Sequence, residues 1–499
     1  MDIKQIGMIG AGSMGSMMSL MFAEYDIDVH FFEPSDDTAD RLLKYAKDNK
    51  LDGKITRHKT HKDLCGALSA PKVFIFSIPH GAPADKSIED LRPFLEKGDL
   101  IMDGSNEKWT ETERRQKELE PHGIHYIGMG VSGGYQSARK APSLSPGGSK
   151  EALDLVFPFL QKIAAKDKDG NPCVAKLGPG GSGHYVKMIH NGIEQGMMTP
   201  LCEAWAIMNH GLSMNYEEIA DVFDSWNTEG PLRDTFLVEI GRDVCRATDP
   251  KTGSHVLSNV RDKVVQDADD SEGTGIWACE EIVRLHVPGP TILTSHLLRL
   301  ASADAAKREV VRRAFASKIG SPSKLDVDKG QFLEKLRDAV YASFLESFIQ
   351  GLHTLAKADE ETGWNLNFRD ILQVWRAGCI IRSNALVDVL DEVYASRDCD
   401  KKNLLGHPKI GAEFQRTYPG FKQVVAKSIE ADLYVPSLSA SLEYLKYSSG
   451  TDLPPSFEEA ELDYFGQHMF DLKTEDAGKP VTGSHHFEWH PALGVKQHG

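Results

Sequence analysis

The stretch Ile6–Gly15, IGMIGAGSMG, decides the fold of this chain. A short apolar run suited to a buried strand leads straight into a Gly-x-Gly-x-x-Gly turn, and a methionine-rich segment of helical character follows. Alone, such a turn is weak evidence. Its setting strengthens it: a strand before, a helix after, and an acidic residue, Glu33, closing the next strand about 20 residues on. The glycines permit a tight turn and close approach of a pyrophosphate, which rests on the amides at the helix start. Gly10, Gly12, Ser13, Met14 and Gly15 are therefore candidate cofactor-binding residues, with an ordinary strand–helix turn as the competing reading. Glu33 adds a cofactor preference. A carboxylate there accepts hydrogen bonds from a ribose 2′-hydroxyl and repels a 2′-phosphate, and the next residue, Pro34, carries no charge. The expectation is NAD over NADP.

Outward from this turn, apolar runs at Ile6–Ile9, Val29–Phe32, Val73–Ser77, Leu100–Asp103 and Tyr126–Met129 alternate with helical patterns. Such alternation implies βαβ units in an α/β Rossmann domain with a doubly wound parallel sheet. From about Ser182 the pattern is helical, which predicts a large all-α domain. Within it Asn215, Tyr216, Ile219, Val222 and Phe223 recur 152 residues later as Asn367, Phe368, Ile371, Val374 and Trp375, as a duplicated helical unit would require. After about Tyr434 the chain becomes richer in Ser, Pro and Gly, with a helical segment around Phe457–Phe470. The expected domains are 1–181 (dinucleotide-binding), 182–435 (helical, catalytic and dimerising) and 436–499, an arm docked on a partner subunit.

The first helical stretch, Ser182–Glu194 (SGHYVKMIHNGIE), follows the glycine-rich run Gly178–Gly183, with Ser182 placed to cap the helix. Lys187, His190, Asn191 and Glu194 fall at i, i+3, i+4 and i+7, on one face two turns long. An amine, an imidazole, an amide and a carboxylate pack poorly but suit a reaction that needs a base at one carbon and an acid at its neighbour. The competing reading is a polar face turned to water. The repeat weighs against it: at the same shift the equivalents are Ala339, Ala342, Ser343 and Glu346, so the stripe is mostly confined to the first copy.

Composition sets outer limits. The 499 residues suffice for two or three domains, and 40% apolar with 26% charged is ordinary for a soluble protein. A net charge of −16 argues against a nucleic-acid partner. The seven scattered cysteines show no Cys-x-x-Cys pair and read as reduced thiols of a cytoplasmic protein. No apolar run is long enough for a membrane span, the N-terminus runs directly into a strand without room for a signal peptide, and the final Lys-Gln-His-Gly is not a peroxisomal address. His485, His486 and His490 could suggest a metal, but they are expected in a tail without supporting carboxylates, so no metal site is expected. Asp267–Asp270 (DADD) reads as a solvated acidic loop.

Taken together, the motifs resemble the 6-phosphogluconate dehydrogenase family over nearly the full chain. The matching runs are GAGSMG (10–15), DGSN (103–106), VSGG (131–134), PSLSPGG (142–148), GHYVKMIHNGIE (183–194), EGTGIW (272–277) and DYFGQH (463–468). The resemblance implies oxidative decarboxylation of a 3-hydroxy sugar acid by a homodimer whose tails exchange. Lys187 would take the proton from the C3 hydroxyl as hydride leaves for the nicotinamide, and Glu194 would protonate C1 of the enediol. It further implies that Asn106, Ser132, Gly133, Gly134, His190, Asn191 and Arg299 bind substrate, with His468 supplied by the neighbouring subunit, and that Ile78 and Asn106 contact the cofactor. Such chemistry demands an uncharged lysine and a protonated carboxyl near neutral pH.

The resemblance fails at one place. Where the family grips a terminal phosphate with a tyrosine, a lysine, a threonine and an arginine, this chain has Gln195, Ile276, Ala278 and Leu462. Losing two cationic partners should weaken phosphate binding by roughly 2–5 kcal/mol. The substrate is thus expected to be 6-phosphogluconate held by other groups or a related acid with an altered distal end. Two further functions compete: an NAD-dependent β-hydroxyacid dehydrogenase that does not decarboxylate, and a catalytically silent dinucleotide-binding dimer.

Overall fold

The computed structural model describes residues 3–267, 273–315, 321–476 and 483–489. Residues 268–270 of the acidic run, Glu272 of EGTGIW and His490 lie outside the described residues. Two compact units are present, Met1–Leu442 and Glu443–Gly499.

The first unit opens with a seven-stranded sheet of β1 (Gln5–Ile9), β2 (Asp28–Phe32), β3 (Ile55–His58), β4 (Val73–Phe76), β5 (Leu100–Asp103), β6 (His125–Ser132) and β7 (Ser143–Gly147), in the order β3-β2-β1-β4-β5-β6-β7. All neighbours run parallel except β6 and β7, which are antiparallel. Every residue of β4 and β5 is buried, as strands covered on both faces require. Helices α1 (Ser13–Glu24), α2 (Asp36–Asp48), α3 (His61–Ala67), α4 (Ala82–Leu91), α5 (Trp109–Leu119), α6 (Gly134–Lys140) and α7 (Lys150–Ile163) follow in turn. Two strands have no counterpart in the sequence reading. β3 carries Thr56, Arg57 and His58 among its four residues, so it lacks an apolar run. β7 contains Pro146 and Gly147, tolerated because this strand pairs with β6 alone in the sheet.

The helical part begins with α8 (Ser182–Ala206), α9 (Tyr216–Thr228), α10 (Phe236–Arg246), α11 (Thr274–Arg284), α12 (Pro290–Ala303) and α13 (Ala305–Ala314). It continues with α14 (Lys329–Thr362), α15 (Phe368–Val374), α16 (Asn384–Ala395), α17 (Pro408–Glu430) and α18 (Pro436–Ser448). Ser182 is not the cap expected of it: Gly181 holds that position, and the Ser182 hydroxyl is buried without a hydrogen-bond partner.

Duplication is visible in the helices. Asn215 caps α9 and Asn367 caps α15, each accepting a backbone N–H with its side chain. The helices that follow these hairpins are stapled reciprocally: Phe236 N–H donates to Arg382 O (2.9 Å) and Asn384 N–H donates to Asp234 O (3.3 Å). The long helices α8 and α14 pack closely, and a Cβ on Gly351 would lie 2.5 Å from the Ile193 side chain.

In the second unit α19 (Pro455–Gly466) ends near Asp463, a buried carboxylate that accepts from Met469 N (3.0 Å), Phe487 N (3.1 Å) and Trp489 Nε1 (2.7 Å). His486 meets Asp463 at 2.9 Å and His485 meets Glu475 at 2.8 Å. The expectation of histidines without carboxylates is thus corrected, because the tail folds back on α19. Among the described residues no group of three or more His, Cys, Asp or Glu is placed to hold a metal, and no helix is long and apolar enough to cross a membrane.

Candidate active site

The strand order reverses direction between β1 and β4, and ligands of such sheets bind beyond the carboxyl ends of strands at that point. A cavity of about 700 Å³ lies there. Its walls come from the segments just past four strands: Gly12–Met14 after β1, Ser77–His80 after β4, Gly104–Asn106 after β5, and Gly133 and Gly134 after β6.

The glycine turn fits a dinucleotide. Gly10 has φ +91°, and a Cβ on Gly15 would lie 2.3 Å from Gly10 O, so neither position admits a side chain. Gly12 faces open space, and α1 starts there without a side-chain cap or an acidic residue in its first turn. Its amides are left for an anion. Glu33 does not border the cavity. Its carboxylate accepts from Ala11 N (2.9 Å) and Ser35 N (3.0 Å), holding the turn to the end of β2. Ile78 and Asn106 do border it, with Ile78 N donating to Ser105 Oγ (3.3 Å).

α8 is seated directly on the sheet. A Cβ on Gly183 would lie 2.2 Å from Gly128 O, and one on Gly130 would lie 2.3 Å from the Cβ of Lys187. His184 Nε2 donates to Asp103 O (3.0 Å), which leaves Nδ1 to accept from Thr112 Oγ1 (2.6 Å). One turn on, Lys187, 7% exposed, reaches the cavity wall. Its Nζ donates to Asn191 Oδ1 (2.6 Å), and Asn191 Nδ2 donates to Thr274 Oγ1 (2.7 Å).

Lys187, Asn191 and Glu194 all line this cavity; His190 does not. His190 is wholly buried behind Asn191, its Nδ1 3.0 Å from Asn191 Oδ1 and its Nε2 without a partner. Burial first, and the Lys187 charge second, push its imidazole well below the ordinary range, so its 3.8 Å approach to Glu194 joins a neutral ring to the carboxyl group. Ser132 is buried at the end of β6, while Gly133 and Gly134 turn the chain at φ +101° and +67° beside the cavity.

Arg299, on α12, also lines the cavity, and its Nε donates to Asp267 Oδ2 (2.9 Å). The Asp267 side chain has 0% exposure, so the reading of a solvated acidic loop is corrected at this residue: the arginine compensates its buried charge. Gln195 lines the same cavity and accepts from His296 Nδ1 (3.0 Å). His468 is exposed in the second unit, its ring 6.1 Å from that of Phe465.

Sequence reasoning did not single out His80, Gln266 or Thr274, all of which border the cavity. Thr274 had a signal, its place in EGTGIW. His80 follows β4 at the strand-end position where such sheets bind ligands, and Gln266 sits in a single 3-10 turn, Val265–Asp267, too short to carry a readable period.

Comparison with known proteins agrees with the geometry. The family model for the NAD binding domain of 6-phosphogluconate dehydrogenase matches residues 5–178, and that for the C-terminal domain of the same enzyme matches residues 183–489. The chain is 45% identical over 496 residues to 6-phosphogluconate dehydrogenase, decarboxylating, of Emericella nidulans, covering 96% of this chain and 100% of the relative. The enzyme of that name from Salmonella typhimurium is 35% identical over 492 residues (98% and 100% covered). The solved structure of Plasmodium falciparum 6-phosphogluconate dehydrogenase, described with NADP+ and with 6-phosphogluconate, superposes with a TM-score of 0.86 at 31% identity, covering 97% of this chain and 100% of that one. Glycine turn, lysine helix and full-length similarity together establish that this chain belongs to the 6-phosphogluconate dehydrogenase family.

Proposed function

We propose that this chain oxidises a 3-hydroxy sugar acid of the 6-phosphogluconate type and releases its carboxylate as carbon dioxide, with NAD preferred to NADP. The observation that carries the reading is that Lys187 and Glu194, on one face of α8, line the same cavity as the Gly12–Met14 turn. Bound nicotinamide would supply the hydride acceptor. Gly12, Ser13, Met14 and the first amides of α1 would hold the dinucleotide's pyrophosphate, and Ile78 and Asn106, which line the same cavity, would contact the cofactor.

Lys187 takes the proton of the C3 hydroxyl. Its stem is buried, and an uncharged amine bears such desolvation more easily than an ammonium does. Asn191 fixes the amine, and Thr274 fixes Asn191. Once the β-keto acid has lost its carboxylate, Glu194 delivers a proton to C1 of the enediol. The Asn191 side chain and the backbone of Gly133 and Gly134 orient the substrate, His190 and Ser132 support them from the buried side, and Arg299 faces the substrate's distal end. His468 completes the site from a second copy, in a cytoplasmic homodimer whose arms, residues 436–499, exchange. Residues 1–181 hold the nucleotide and residues 182–435 carry catalysis and dimerisation.

NAD preference rests on Glu33. Its carboxylate suits a 2′-hydroxyl, and the nearby cation, Arg57, is already engaged by Asp36 (2.7 Å) and by the Glu33 carbonyl (3.1 Å). The test is a panel of sugar acids assayed with NAD and with NADP. One carbon dioxide per reduced cofactor and a kcat/KM at least about tenfold higher with NAD are expected, on the scale of one charge-assisted contact. Oxidation without carbon dioxide would leave a simple β-hydroxyacid dehydrogenase, and a preference for NADP would overturn the role of Glu33.

A further inference from the structure

Building on the nucleotide site just assigned, we infer that Arg115 is a positioning residue for the bound dinucleotide: with Glu107 it grips the main chain of Gly81 from behind and so fixes the Ile78–His80 wall against the loop that carries Asn106.

The segments after β4 and β5 face the cavity through Ile78, Pro79 and His80 on one side and Gly104, Ser105 and Asn106 on the other. Both are irregular chain between a strand and a helix, with no ladder of their own to set their separation. At the cavity Ile78 N donates to Ser105 Oγ (3.3 Å). A second connection lies behind the wall. Gly81 N donates to Glu107 Oε2 (2.8 Å), and Gly81 O accepts from Arg115 Nη2 (3.0 Å). Both main-chain polar groups of the residue next to His80 are thus held, one by the segment after β5 and one by α5.

Arg115 is suited to that task. Its side chain has 0% exposure, and it has three partners: Glu107 Oε2 at Nη1 (2.6 Å), Gly81 O at Nη2 and Asp85 Oδ1 at Nε (2.8 Å). A planar guanidinium fixes the angles between such partners, which an ammonium does not. Glu107 is equally committed, with Oε1 accepting from Lys108 N (2.8 Å). Deeper still, the buried Asp103 carboxylate lies 3.8 Å from Arg115 Nη1 and accepts from Ser105 N (3.0 Å) and Tyr126 Oη (2.5 Å). One guanidinium therefore compensates two buried carboxylates. An ion pair that served stability alone would join the helices and leave the wall untouched. Here the bonds from Arg115 and Glu107 end on Gly81 itself.

The test is fluorescence titration of the full-length protein with NADH and with NADPH, beside steady-state kinetics and Tm. In Glu107→Gln the amide cannot accept from Gly81, Arg115 and Lys108 together. In Arg115→Lys the ammonium cannot span Gly81 O, Glu107 and Asp85. Each variant should raise the Kd and the KM of the better-bound cofactor by about tenfold, the size of one charge-assisted hydrogen bond, with a smaller change in kcat at saturating cofactor. Asp85→Asn removes a partner that is 44% exposed and keeps both bonds to Gly81, so it should lower Tm slightly and leave Kd within about twofold. An unchanged Kd in Glu107→Gln overturns the inference whatever its Tm, and this holds even where Arg115→Lys does not fold. An equal rise in Asp85→Asn also overturns it, because loss of charge compensation anywhere on Arg115 would then suffice. The titration needs no turnover, so it decides the role of Arg115 even if no sugar acid is oxidised. Tighter binding of NADPH than of NADH would unseat the role given to Glu33 and leave this comparison intact.

Discussion

Helices α8 and α14 occupy equivalent places in the two copies of the helical unit, and their matching positions have diverged in opposite directions. On α8 the set is Lys187, His190, Asn191 and Glu194, and all but His190 face the cavity. On α14 it is Ala339, Ala342, Ser343 and Glu346, every one of them 0% exposed. The two glutamates make the contrast sharpest. Glu194 keeps 25% of its side chain exposed beside the nucleotide turn. Glu346 lies in the core, where Thr291 Oγ1 donates to one oxygen (3.3 Å) and the other has no partner. Burial there pushes its carboxyl well above the usual range, against the donors Thr291 and Ser441. One scaffold position thus borders the cleft in one copy and lies in the core in the other, and the surroundings set the difference.

The strongest way to break this contrast is Lys187→Met. Turnover should fall by about 10⁴-fold, the upper end for loss of a positioned base, with NAD binding unchanged by fluorescence titration. Residual turnover near that of the wild type would remove α8 from the chemistry. Next comes the matched pair of glutamates. Glu194→Gln should lower kcat by about 10²-fold, whereas Glu346→Gln should leave it within about twofold. Equal losses in stopped-flow assays would erase the distinction between the copies.

A third change addresses how the helices meet. Gly351→Val places a side chain 2.5 Å from Ile193, and overpacking of this kind costs about 1–3 kcal/mol in urea unfolding. No loss would mean that the two helices do not approach each other this closely.

The smallest effect concerns pH. With its pKa raised in the native state, Glu346 keeps a proton that the unfolded chain releases above about pH 4.3. Its contribution to stability is therefore complete below that pH and declines as pH rises, by about 1.4 kcal/mol per unit while only the native form holds the proton. Glu346→Gln should differ from the wild type by less than about 1 kcal/mol at pH 5 and lose part of the downward slope toward pH 8. Part of the slope should survive, because burial also lifts Glu203 to about 8 despite the Leu438 and Ser437 backbone donors. Parallel stability–pH curves would show that Glu346 titrates normally.

Legibility in the sequence followed the local signal. The strands around β1, β2, β4, β5 and β6 were readable because each is an apolar run ended by turn residues, and the lysine stripe because helical spacing puts four unlike polar groups on one face. β3 escaped because edge pairing through its backbone needs no apolar run, and β7 because Pro146 and Gly147 read as a loop. Asp267 was misread for a different reason. Nothing in an acidic tetrapeptide shows that an arginine 32 residues away will bury one of its members. His190, one of the four on the stripe, points away from the cavity because the helix face is wider than the opening it borders.

The seat of α8 has a mechanical consequence. With Gly183 against the backbone of β6 and the Cβ of Lys187 against Gly130, this lysine is rooted in the nucleotide-binding half, although it belongs by topology to the helical one. The same helix also presses on α11, where a Cβ on Gly192 would lie 2.9 Å from the Ala278 side chain, and Asn191 donates to Thr274, so the sheet and the helical wall hold this segment from both sides. A substitution that shifts the end of β6 would therefore move Lys187 and the wall that carries Thr274 together, rather than one against the other.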